Sequence, residues 1–130
     1  MMILVDSSFF IALADRKDQW HVQAKKLQAS LVGETVIISD LIVAEAVTII
    51  GKRSGGKAGE HLYNFFIDNC DIIFSDEQTL KGGMSVFLRY DGTLSVSDAV
   101  SVNIMETKHI ERILSFDSDF DKVKGITRLC

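Results

Sequence analysis

Five short runs rich in aliphatic and β-branched residues recur along this chain, at residues 2–5 (MILV), 36–39 (VIIS), 70–74 (CDIIF), 112–116 (RILSF) and 125–129 (GITRL). Between the first four lie longer stretches with apolar residues at helical spacing. That alternation is the strongest constraint on the fold. Strands separated by helices build βαβ units, and βαβ units build a largely parallel sheet covered on both faces. The ligand crevice of such a sheet lies beyond the carboxyl ends of its strands. Residues directly following the runs are therefore the first place to look for chemistry.

The helical stretches can be bounded by their end signals. SSFFIALA (7–14) reads as a helix capped by Asp6 or Ser7. Residues 19–32 carry Trp20, Ala24, Leu27 and Leu31 at helical spacing. Ser39-Asp40 caps a helix over 41–52, which the glycines of GKRSGGK interrupt, and the next helix sets Leu62, Phe65, Phe66 and Cys70 on one face. Ser75 or Asp76 starts a helix ending near Tyr90, Asp91-Gly92 marks a turn, and 96–108 forms a further helix.

At 130 residues with 47% hydrophobic content, the expectation is a single domain over 1–130 with a core that needs no disulfide or structural metal. No segment approaches the ~18 consecutive apolar residues of a membrane span. The opening MMILV has no basic flank, long apolar region or cleavage site, and is read as a strand rather than a signal peptide. Cys70 and Cys130 form no zinc motif, and a reduced, cytoplasmic protein is expected. The net charge of −4 argues against non-specific coating of nucleic acid. It leaves room for an enzyme acting on nucleic acid through bound cations.

Four carboxylates lie in apolar settings: Asp6 after MILV, Glu45 within LIVAEAVTII, Asp98 in SVSDAVSV and Asp117 after RILSF. Even an uncharged polar group left unpartnered out of water costs roughly 2–7 kcal/mol, so buried acids need a shared compensating charge. Few basic residues neighbour them, and a divalent cation is the economical answer. Each acid also has a bland alternative. Asp6 suits a helix N-cap. Glu45, on a helix with apolar residues on nearly every side, suits a salt bridge to Lys52, Arg53 or a distant Arg. Ser95-x-x-Asp98 spells a capping box. Asp117 begins the Asp-rich turn FDSDFD, in which an EF-hand is excluded because its sixth and twelfth positions hold Lys122 and Arg128.

GKRSGGKA (51–58) imitates a phosphate-binding loop but ends in Ala58 and follows a helix, so a nucleotide triphosphatase is rejected. Lys52, Arg53 and Lys57 nevertheless make the densest basic patch, suited to a phosphate backbone. His21, His61 and His109 stand apart from one another and from any nucleophile, which leaves no support for a Ser-His-Asp or Cys-His site.

VDSSFFIAL, LIVAEAV, LSVSDAVSV and SFDSDF, in that order, resemble the PIN domain, and most closely the small VapC-type toxin ribonucleases. HVQAKKL and the final GITRL extend the likeness over essentially the whole chain. The resemblance implies a Rossmann-like three-layer α/β/α sandwich around a mostly parallel sheet, and Mg²⁺- or Mn²⁺-dependent cleavage of single-stranded RNA. It implies Asp6, Glu45, Asp98 and Asp117 as metal-binding acids, with Ser7 and Ser115 orienting a ligand or water. Asp119 falls where many relatives carry another residue. A homodimer and an antitoxin partner are also implied.

The reading is therefore phosphodiester hydrolysis with one or two Mg²⁺ ions, ~3.5–4 Å apart if two. Asp6, Asp98 and Asp117 would be direct ligands, and Glu45 would reach the ion through water or position the attacking water. A non-catalytic RNA- or protein-binding module that keeps the acidic pocket is the rival. A receiver-like phosphoacceptor domain ranks lower, because the third run ends in Ile72-Ile73-Phe74-Ser75 without an Asp at its tip.

Overall fold

A computed structural model describes residues 1–130. The strands are β1 (Met2–Val5), β2 (Thr35–Ser39), β3 (Asp71–Ile73), β4 (Arg112–Leu114) and β5 (Thr127–Leu129). They form one five-stranded sheet in the order β3-β2-β1-β4-β5, and every pairing is parallel. The helices are α1 (Ser7–Ala14), α2 (His21–Leu27), α3 (Asp40–Ser54), α4 (Gly56–Asn69), α5 (Glu77–Arg89) and α6 (Val96–Lys108). The expected parallel α/β architecture is the one observed.

From β1 the chain steps outward to β2 and β3, then returns across the sheet to β4 and β5. Because parallel crossovers are right-handed, a reversal of stepping direction puts the later helices on the opposite face. Packing agrees: α1 contacts α2 and α3, α3 contacts α4, and α5 pairs with α6. Both faces are covered, so Ile3, Leu4, Val5, Ile37, Ile38, Ile113 and Leu114 are almost wholly buried, as continuous apolar strands require. The reversal occurs between β1 and β4, which makes that gap the topological switch point.

The end signals read from sequence act largely as expected. Ser39, Asp76 and Ser95 each accept a backbone N–H with their side chain at the start of α3, α5 and α6. Two expectations need correction. The helix expected over 19–32 is α2 over 21–27 followed by a 3-10 turn over 28–31, and it buries only Ala24. The GKRSGGK break is confined to one residue: α3 runs on to Ser54, and Gly55, at φ +96°, redirects the chain into α4.

Two glycines in α5 permit close approach to α6. A Cβ at Gly83 would lie 2.6 Å from Val100 Cγ2 and 3.3 Å from the Val100 Cα, and one at Gly82 would meet the Asn103 side chain. Gly51, inside α3, faces open space. Gly83→Ala is therefore expected to destabilise by about 1–3 kcal/mol through overpacking, although alanine favours helix. Gly51→Ala is expected to stabilise by up to about 1 kcal/mol. Chemical denaturation of both variants checks the pair, and equal effects at the two positions would refute the packing argument.

Candidate metal centre and its surroundings

Asp6 follows β1 and Asp117 lies just beyond β4, so the switch point brings together acids from opposite ends of the chain. The Asp6 N–H donates to Leu114 O at 3.0 Å, which extends the β1–β4 pairing up to the acid itself. Asp6 occupies the N-cap position of α1 but makes no side-chain capping bond. Its Oδ2 instead accepts Ser115 Oγ at 2.8 Å and Ser8 Oγ at 3.0 Å. Burial pushes the Asp6 carboxyl above its ordinary range; the bonds from Ser115, Ser8 and the Ser7 backbone oppose the shift, and Glu45 adds repulsion.

Asp98 sits in the first turn of α6 and is 8% exposed. The Ser95 hydroxyl accepts its backbone N–H at 3.1 Å. Burial, followed by repulsion from Asp6 and Asp117, raises the Asp98 carboxyl to about 7; Ser95 opposes this and Glu45 adds to it. Asp117 is half-buried, with its N–H donating to Ser115 Oγ at 3.0 Å and its Oδ1 accepting the Asp119 N–H at 2.9 Å. The four acids thus lie within electrostatic reach of one another.

Glu45 departs from expectation. Helix α3 buries Ile42, Ala46 and Ile50, whereas Ala44 and Glu45 are exposed, so the segment is not buried all round. Its flank borders the crevice, and Glu45 Oε1 accepts a hydrogen bond from Ser7 Oγ. No basic side chain pairs with Glu45 and none pairs with Asp6, Asp98 or Asp117. The salt-bridge alternative for Glu45 is not realised.

The donor set fits a hard divalent cation: it is all oxygen, it is negatively charged, and it lacks any protein counter-charge. No three His, Cys, Asp or Glu side chains are drawn together into a ready-made cage. Asp119 turns away, exposed, with its carboxylate 3.5 Å from Lys122 Nζ.

Within the basic patch, Arg53 is committed to other carboxylates. Arg53 Nη1 donates to Asp15 Oδ2 at 3.1 Å and Asp18 Oδ2 at 3.0 Å, fastening the α1–α2 loop to the end of α3. The Lys17 N–H and then Arg53 hold Asp15 below the usual carboxylate range. Lys57 lies 3.6 Å from Glu60, and Lys52 is exposed. Two residues of the site were not anticipated. Ser8 accepts the Phe116 N–H at 3.0 Å while donating to Asp6, so it ties β1 to the loop after β4. Arg128 donates to Ser115 O at 3.1 Å and grips both oxygens of Asp121, bracing that same loop. Ser8 could have been found from its spacing two residues after Asp6, a common local bonding pattern. Arg128 has no such local signal.

Comparison with known proteins bears on the family and the fold. The family model described as PIN domain matches residues 3–126. Ribonuclease VapC13 of Mycobacterium tuberculosis is 30% identical over 133 residues, covering 98% of this chain and 99% of that protein. The 23S rRNA-specific endonuclease VapC20 of the same species is 31% identical over 121 residues, 92% of each. The crystal structure of VapC20 from Mycobacterium tuberculosis, a Sarcin-Ricin loop cleaving toxin, superimposes with a TM-score of 0.87 at 26% identity over 95% of this chain and 96% of that one. The fold is shared with VapBC2 from Rickettsia felis bound to a promoter DNA fragment, at a TM-score of 0.73 and 10% identity over 99% of this chain and 98% of that one. A five-stranded parallel sheet with acids gathered at its switch point, and similarity along nearly the whole chain, make this protein a PIN-domain member of the VapC ribonuclease family.

Proposed function

We propose that this chain is a metal-dependent endoribonuclease that hydrolyses phosphodiester bonds of single-stranded RNA, acting as the toxin of a toxin–antitoxin pair. The carrying observation is the set of four acids at the switch point with no protein cation beside them. Bound Mg²⁺ or Mn²⁺ would supply the positive charge that admits a phosphodiester and makes water a competent nucleophile at neutral pH. Asp6, Asp98 and Asp117 would hold that cation, and Ser8 and Ser115 fix the orientation of Asp6 by donating to it. Glu45, tethered by Ser7, orients the attacking water, whose oxygen bonds to phosphorus as the P–O bond of the leaving nucleotide breaks. Lys52 and Lys57 steer the strand.

Partner binding has a fitting surface. A cleft of about 310 Å³ between α1, α3 and α4 is lined almost entirely by apolar side chains, among them Phe10, Leu13, Ile50, Leu62 and Phe65. An antitoxin segment or a second copy of the chain would find an apolar seat there, and a toxin–antitoxin complex from Klebsiella pneumoniae that shares the fold supports an antitoxin partner for this chain. No helix is long and apolar enough to cross a membrane, and an RNA target puts the site of action in the cytoplasm.

Asp6→Asn and Asp98→Asn are each expected to reduce metal-dependent cleavage of single-stranded RNA oligomers by at least about a hundredfold with the fold retained. Purified variants that still cut at the parental rate would remove those residues from the site. Saturable stabilisation by Mn²⁺ with no cleavage of any RNA would instead favour a binding module.

The electrostatics predict an unusual pH dependence for the metal-free protein. Asp98 titrates near 7 when folded against 3.8 ordinarily, and Asp6 shifts the same way, so between about pH 4 and pH 7 the folded state holds protons that the unfolded chain has released. Stability should therefore be greatest at low pH in this window and fall as pH rises through it. For Asp98 alone the loss is at most roughly 4 kcal/mol. Melting curves in EDTA should show the decline, Asp98→Asn should flatten it, and millimolar Mg²⁺ or Mn²⁺ should restore stability most at the high-pH end. A melting temperature independent of pH in both proteins would contradict the mutual repulsion of the acids.

A further inference from the structure

A column of three aromatic rings runs from the core to the surface beside the acids. Phe9, 1% exposed, stacks on Phe116 with centroids 6.5 Å apart and planes at 30°. Phe116 in turn stacks on Trp20 at 5.3 Å and 8°, and Trp20 is 39% exposed. Phe116 is half-buried, adjoins Asp117 in sequence and gives its N–H to the Ser8 hydroxyl that holds Asp6. The outermost ring is thus linked to the acid cluster by one side chain and one peptide bond.

Trp20 is also held in place. Asp18 Oδ1 accepts the Trp20 backbone N–H at 2.9 Å, and Arg53 binds both Asp18 and Asp15 of the same loop. The following residue, His21, bonds Ala12 O through Nδ1 at 2.7 Å. A large indole with more than a third of its surface in water would ordinarily be mobile or folded down. Here its backbone is tied down and its ring lies flat on Phe116, so part of the ordering cost of contact with a ligand is already met.

The charge balance indicates what the ring contacts. The four central acids repel RNA phosphates until a cation is bound, and Arg53, which ties down the loop bearing Trp20, is occupied by two carboxylates. Base stacking is uncharged and indifferent to that repulsion. We propose that Trp20, backed by Phe116, is a nucleobase-stacking platform that seats a base neighbouring the scissile phosphodiester. The inference rests on the ribonuclease reading above and adds the subsite by which the strand is gripped.

Single-turnover cleavage by the full chain in Mg²⁺ tests it, using a series of otherwise identical RNA oligomers each carrying one abasic position. Trp20→Ala should lower kcat/KM on the intact oligomer by about tenfold or more, and Trp20→Phe by less than about threefold. One abasic position should cost the parent protein a similar factor and should cost Trp20→Ala nothing further, because the two changes remove the same contact. Trp20 is the only tryptophan, so quenching of intrinsic emission by intact oligomer in Asp98→Asn, and weaker quenching by that abasic oligomer, gives a second readout. If Trp20→Ala cleaves intact oligomer like the parent, or loses activity equally on every oligomer, the platform is refuted and the ring serves packing or a protein partner. If the parent cleaves no RNA oligomer at all, the ribonuclease reading falls and takes this inference with it.

Discussion

Mutual repulsion among carboxylates at the head of the sheet governs this structure. The sheet reverses its stepping direction between β1 and β4, and helix α6 begins close enough for Asp98 to feel both Asp6 and Asp117. Left alone, that arrangement favours protonation or separation of the acids. The fold resists separation through the extended β1–β4 pairing and through hydroxyl donors from Ser8 and Ser115. Neutral donors are well suited to the task, because they orient Asp6 without cancelling its charge. A lysine or arginine in the same place would satisfy the carboxylate and remove the reason for it to hold a cation.

A second tier fixes the loops around that centre. Arg128 braces the segment leading to Asp117 from the side of β5, and Arg53 fastens the α1–α2 loop from the end of α3. Both spend their positive charge on carboxylates remote from the four central acids. The division is consistent: basic residues serve as clamps at the rim, and the centre is left negative.

Much of this was legible in the sequence because it is local. The strand runs, the caps at Ser39, Asp76 and Ser95, and the adjacency of Asp6 and Asp117 to strand ends all follow from short-range rules. The errors are long-range. Glu45 looked buried because its neighbours in sequence are apolar, but the flank of α3 that carries it borders the crevice. Arg53 looked like a free cation beside Lys52 and Lys57, yet its partners Asp15 and Asp18 lie in another loop. Residues 19–32 kept a helical spacing although α2 buries only Ala24 and gives way to a 3-10 turn after Leu27. Composition around a residue reports its burial poorly where a helix edge meets an opening in the fold.

The bracing by Arg128 couples the outer edge of the sheet to the crevice. One guanidinium holds Ser115 O and both oxygens of Asp121, so the loop that carries Asp117 is secured from β5 rather than from its own strand. β5 is an edge strand whose neighbour is β4, and fraying of that edge would slacken one wall of the crevice while Asp6, carried by the central strand β1, kept its place.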